Sequence, residues 1–112
     1  MTIRPASSTE WQALQKLNDE VITDNAQYDD DIVLGWALSD EGKEYFQKIV
    51  QDPDNVCFVA EDEHGQLLGY IDASPKNFGY RKSRYLEIGD MGVKPEYRSQ
   101  GIGSMLMKAV QD

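Results

Sequence analysis

The spacing of apolar and polar positions changes character along the chain, and each change marks a boundary between kinds of structure. Thr2 to Arg4 reads as a short first strand ended by Pro5, which has no N–H to give to a ladder. From Trp11 the spacing is helical: Trp11, Leu14, Leu17 and Val21 fall near one face. Thr9, with Gln12 three residues on, has capping-box spacing at its start. Thr23 to Leu38 has no clear period. A polar, acidic run (Asp24, Asn25, Asp29, Asp30, Asp31) gives way to Ile32-Val33-Leu34-Gly35-Trp36, which predicts a loop leading into a short helix or turn. Ser39 can cap a second helix, with Asp40 and Glu41 in the first turn, where the helix dipole favours negative charge. Tyr45, Phe46, Ile49 and Val50 make its apolar stripe, and Asp52-Pro53 stops it.

The second half is built differently. Val56 to Ala60 is a compact strand-like run, Leu67 to Ala73 is another, and the polar Asp62-Glu63-His64-Gly65 between them predicts a hairpin turn. Ser74 to Ser83 contains Pro75, Asn77 and Gly79 and is expected to be a loop. Tyr85 to Val93 reads as a third long strand, in which Gly89 and Gly92 predict a bulge or a close approach. Ile102, Met105, Leu106, Ala109 and Val110 then fall at i, i+3, i+4, i+7 and i+8, an amphipathic helix. The order β-α-α-β-β-β-α, without repeats or an interdomain linker, predicts one domain over residues 1–112. Its class is α/β (α+β), with helices packed on a largely antiparallel sheet.

Composition narrows the function classes. Twenty acidic residues against eleven Lys and Arg give a net charge of −9, which argues against a nucleic-acid footprint or attraction to an anionic membrane. No apolar run approaches bilayer length, and no basic-then-apolar leader opens the chain. The single cysteine, Cys57, lies in an apolar run and reads as a small buried hydrophobe; together these features suggest a cytoplasmic setting. His64 sits at a turn tip with no second His or Cys nearby, so no metal site is expected.

The chemistry concentrates between Met91 and Ser104. A strand runs into a tight loop containing Gly101 and Gly103, and the loop opens into the last helix. The first turn of a helix offers unpaired N–H groups and partial positive charge, and glycines let an anion come close. With Arg98 adding a formal charge, the segment reads as a diphosphate cradle. The dinucleotide pattern G-x-G-x-x-G fails at Leu106, and the Gly-Lys-Ser/Thr of a P-loop is missing.

Val93-x-Pro95-x-x-Arg98-x-x-Gly101-x-Gly103, followed by Leu106, resembles the signature loop of the Gcn5-related N-acetyltransferase (GNAT) family. The resemblance implies an acyl-CoA N-acyltransferase fold and transfer of acetyl from acetyl-CoA to a primary amine on a small molecule or peptide. It implies that Gln100, Gly101, Ile102, Gly103 and Ser104 present N–H groups to the pyrophosphate, with Arg98 beside them. It also implies that Met91 and Val93 offer backbone bonds to the pantetheine arm. A carboxylate on the same strand would serve as base. Glu87, six residues before Val93, is the better match if no bulge intervenes, and Asp90 is the competitor. Ion pairing of either with Arg81, Lys82 or Arg84 is the structural alternative.

Domains of this family continue past the helix with further strands, so the chain is expected to lack C-terminal elements of the fold. Tyr85 to Val93 would then be an apolar sheet edge, inviting self-association or a complementary C-terminal segment. Two other readings remain at this stage: a coenzyme A-binding or interaction module without turnover, and a phosphate-binding regulatory domain.

Overall fold

The computed structural model of the chain describes residues 1–76 and 85–111. Four strands and three helices follow in the order β1 (Thr2–Pro5), α1 (Trp11–Asn25), α2 (Asp40–Gln51), β2 (Val56–Glu61), β3 (Leu67–Lys76), β4 (Tyr85–Val93) and α3 (Ile102–Gln111). The sheet is antiparallel throughout, in the spatial order β1-β2-β3-β4. Strand alternation sorts its side chains into two cores. Cys57, Val59 and Tyr70 face Leu14, Leu17, Phe46 and Ile49 of α1 and α2, whereas Ala60, Ile71 and Ala73 face Ile102, Leu106 and Val110 of α3.

Local chemistry accounts for the helix starts. Ser39 caps α2 by accepting from the Gly42 N–H at 3.2 Å, with Asp40 and Glu41 behind it. Gly42 is buried because α2 begins hard against a 3₁₀ turn at Trp36–Leu38; a Cβ there would overlap the carbonyls of Trp36 and Ala37. The start of α1 corrects the Thr9–Gln12 expectation. The reciprocal pair is Ser7 with Glu10: the Ser7 N–H donates to Glu10 Oε1 at 2.8 Å, and the Glu10 N–H donates to the Ser7 carbonyl at 3.0 Å. Glu10 wins because Arg4 grips it with two 2.8 Å bonds, which hold its carboxyl below the usual carboxylate range.

Two further expectations change. Ser74 to Lys76 is strand, not loop, and the rest of the expected loop lies outside the described residues. Beyond Ala73, β3 has lost β2 and pairs only with β4, so Pro75, opposite Leu86, sits on a local edge where its missing N–H is tolerated. On α3, Met105 is 40% exposed; the buried row is Ile102, Leu106 and Val110, with Met107 packed beside it.

β4 is the edge of the described sheet, and Leu86, Ile88 and Met91 on it are each about two-fifths exposed. Among the described residues no helix is long and apolar enough to cross a membrane.

Candidate active site

The site is organised by one extra residue in β4. Asp90 pairs with Asp72, but the next rung pairs Ile88 with Ala73, so Gly89 is bulged out of register. A bulge places two successive residues on one side of the strand. Met91 and Val93 lie opposite Ile71 and Gly69 and share the α3 face. Asp90 and Gly92 lie opposite Asp72 and Tyr70 on the α1/α2 face. Beyond the bulge Glu87 lies opposite Ser74, which returns it to the α1/α2 face as well. Simple alternation would have put Glu87 with Val93; the bulge puts it with Asp90 instead. Gly92 marks the predicted close approach, since a Cβ there would stand 3.0 Å from Tyr70 Cε1 and 3.3 Å from Val21 Cγ2.

Under the bulge lies a buried polar network that no sequence motif announced. Asp72, 6% exposed, accepts the Tyr45 hydroxyl at 2.9 Å. The neighbouring backbone amides of Gly89 and Asp90 favour its ionised form. Burial outweighs these donors and pushes the Asp72 carboxyl up to about 6. Asp90 accepts from the Tyr70 hydroxyl, from Asn18 Nδ2 at 3.3 Å and from its neighbour's N–H at Met91 at 2.9 Å. Asn18 Nδ2 also donates to the Tyr70 oxygen at 2.6 Å. Burial, then the adjacent charge, raises the hydroxyl pKa of both tyrosines, with Asp72 acting on Tyr45 and Asp90 on Tyr70. The available signal was Asp72 itself, a lone carboxylate inside the apolar run Leu67–Ala73.

On the other face of β4 the chain turns into α3. Ser99 (φ 68°) and Gly101 (φ 82°) both take left-handed backbone, and such turns direct successive N–H groups toward one point. The first bond within α3 runs from the Met105 N–H to the Gly101 carbonyl. The N–H groups of Ile102, Gly103 and Ser104 therefore have no acceptor within the helix. A concavity of about 280 Å³ covers this turn, lined by Val93, Tyr97, Arg98, Ser99 and the Gly101–Ser104 segment. It shares Gly103 and Ser104 with a second concavity, of about 440 Å³, between Met91 and Met107. That one in turn shares Met107 and Gln111 with a third, of about 350 Å³, reaching Leu86 and Ile88. The three form one run along β4 and α3, mostly apolar in lining, with the unpaired amides at one end. Gln100 is exposed within the turn. Arg98 lines the cradle, but its guanidinium is held by Asp24 at 2.5 Å and lies near Asn25 at 3.4 Å, tying the loop to the end of α1.

A wider concavity, about 570 Å³, lies between α1 and Lys94–Glu96. Its lining includes Asp19, Glu20, Asp24 and Glu96, and Lys94 there is already paired with Glu20 at 3.3 Å, so it repels a diphosphate. Arg81, Lys82 and Arg84, the possible partners of Glu87 and Asp90, lie outside the described residues. Among the described residues no group of three or more His, Cys, Asp or Glu is placed to hold a metal ion.

These features define an α+β fold whose strand-to-helix turn presents unpaired backbone N–H groups. The model of the acetyltransferase (GNAT) family matches residues 10–112, and the chain belongs to that family of N-acetyltransferases. Comparison with curated proteins gives no match. Among solved structures, a tetramutant of the BH1408 protein from Bacillus halodurans superposes with a TM-score of 0.81 at 20% identity, over 99% of this chain and 73% of that one. An acetyltransferase from Vibrio fischeri gives 0.75 at 19% identity, over 99% and 84%. Aminoglycoside N-acetyltransferase AAC(6')-Iy, bound to the bisubstrate analogue CoA-S-monomethyl-acetylneamine, gives 0.68 at 21% identity, over 98% and 68%. At these identities the likeness establishes the fold.

Proposed function

We propose that the chain transfers an acetyl group from acetyl-CoA to a primary amine, and that the groove between β4 and α3 takes the donor. The observation that carries this reading is the convergence of the free Ile102, Gly103 and Ser104 amides at the head of an apolar run lined by Met91 and Met107. A diphosphate suits the amide end, where charge-assisted bonds and the helix dipole act together. An extended, mostly apolar arm suits the rest, with the edge backbone of β4 at Val93 and the Met91 carbonyl placed to bond it as an added strand would, the Met91 N–H being held by Asp90. The complex of AAC(6')-Iy with an analogue containing coenzyme A supports a donor of this kind in this fold.

The donor supplies a thioester carbonyl. The acceptor nitrogen forms the new C–N bond as the C–S bond breaks and coenzyme A leaves with the electron pair as its thiolate, and the nitrogen's proton must go to a base. Both candidate carboxylates stand on the α1/α2 face of β4, so the amine would approach from that side. We assign the base to Glu87. Asp90 is already committed to Tyr70, Asn18 and the Met91 N–H, a holding role, whereas Glu87 is exposed on the same face. The acidic chain favours a cationic acceptor, whether a small-molecule or a peptide amine. A reducing, cytoplasmic setting suits its one thiol, buried and unpaired at Cys57.

The test is release of free thiol from acetyl-CoA in the presence of a panel of primary amines. Amine-dependent release supports transfer. Coenzyme A binding with no release from any amine would leave a binding module, and no binding at all would remove the donor assignment.

A further inference from the structure

The bulge that places Glu87 has a visible holder, and it lies on the neighbouring strand. Asp72 is the β3 residue at the register shift, and its carboxylate receives the Tyr45 hydroxyl from α2 at 2.9 Å while its other oxygen lies against Gly89. Contact is tight on that side: a Cβ built on Gly89 would run into the Asp72 carboxylate. Gly89 is thus the residue type that this arrangement admits, and the carboxylate occupies the space that a side chain would need.

We propose that Asp72 is a positioning residue for acetyl transfer, holding the Gly89 bulge so that Glu87 and Asp90 share one face of β4 while Met91 and Val93 keep the other. The proposal rests on the acetyl-transfer reading above. Its physical content is a count. Glu87 and Asp90 are three positions apart, and with the bulge both face α1/α2; without it, alternation would turn Glu87 to the α3 side. The donor groove and the base therefore lie on opposite faces of β4 only while Gly89 stays out of register. Tyr45, pointing down from α2, couples this hinge to the helix layer on the acceptor side.

The prediction is specific to two amides and one catalytic step. In Asp72→Asn the group that lies against Gly89 loses its charge. The amide resonances of Gly89 and Asp90, at the bulge, should shift while those of Ile102 and Gly103 stay in place. kcat should fall about tenfold to a hundredfold, the scale expected when a reacting group is displaced by about an ångström, with KM for acetyl-CoA changed by less than about threefold because the α3 amides are untouched. Gly89→Ala, whose methyl would displace the carboxylate, should produce the same split. The double variant should be no slower than the worse single one, as expected for residues acting through one device. Gly89→Ala also keeps the test decisive if Asp72→Asn fails to fold. An active wild type matched by equally active Asp72→Asn or Gly89→Ala would overturn the proposal alone, as would additive losses in the double variant. A wild type that neither binds nor turns over acetyl-CoA would overturn the acetyl-transfer reading, and this proposal with it.

Discussion

Replacing Gly103 by valine tests the donor cradle with little confounding from the fold. Gly103 lies in the first turn of α3, and a Cβ there would meet only Met91 Cε, at 3.8 Å, an ordinary contact. Its backbone is not left-handed, and valine is a slightly better helix residue than glycine, so the exchange costs the fold little. Gly101 is the poorer choice despite empty space around it, because at φ 82° a β-branched side chain is strained whatever the room. The two valine methyls project into the concavity shared by the cradle and the arm groove. They should keep a phosphate from the Gly103 and Ser104 amides. Hydrogen bonds to a charged group are each worth about 1.5–3 kcal/mol, so losing two costs about 3–6 kcal/mol and raises Kd for coenzyme A by roughly a hundredfold to ten-thousandfold. Calorimetric titration with coenzyme A reads this directly, and a thermal melt of the same sample checks the fold. An unchanged Kd at an unchanged Tm would refute the assignment of these amides.

Three other outcomes are expected. Glu87→Gln should lower kcat about a hundredfold at neutral pH and less at high pH, where the amine loses its proton unaided; a slower Asp90→Asn would reverse the assignment of the base. Gly42→Ala should destabilise by about 1–3 kcal/mol despite the better helix propensity of alanine, because the new methyl meets the rigid Trp36 and Ala37 carbonyls; the measurement is a drop in Tm. Asp72 should leave a signature in stability against pH. Its folded pKa, about 6, lies above the ordinary aspartate value of 3.8, so between those values the folded state holds the extra proton and stability falls as pH rises, by at most about 3 kcal/mol before solvent screening. Denaturant melts from pH 4 to 7 should show this falling contribution flattened in Asp72→Asn; parallel profiles for the two chains would contradict it.

What could be read from the sequence, and what could not, follows from the range of the interactions involved. The caps and stripe of α2, the limits of β4 and the start of α3 depend on neighbours within a turn or two, and Ser39, Asp52-Pro53 and Gly101 announce them. The two glycines of the cradle were legible for the same reason. The end of β3 was not, because Pro75 reads as a loop residue until one knows that β2 has already left the ladder there. The face of Glu87 depends on whether Gly89 or Gly92 is the bulge, and that is decided across the sheet by Asp72 and Tyr70. Arg98 is similar: its spacing in the loop is visible, but its partner Asp24 lies 74 residues away. Asp72 itself went unremarked because a single carboxylate in an apolar strand has no spacing to recognise.

The central claim is that the turn from β4 into α3 is where the donor's diphosphate sits. Titrating coenzyme A into the isotopically labelled chain and following its backbone amides tests this directly. The account predicts saturable shifts that are largest at Gly101, Ile102, Gly103 and Ser104, continue to Met91 and Val93 along β4, and spare the acidic concavity of Asp19, Glu20 and Glu96. Saturable shifts centred on that acidic concavity, or none at the first turn of α3, would contradict it.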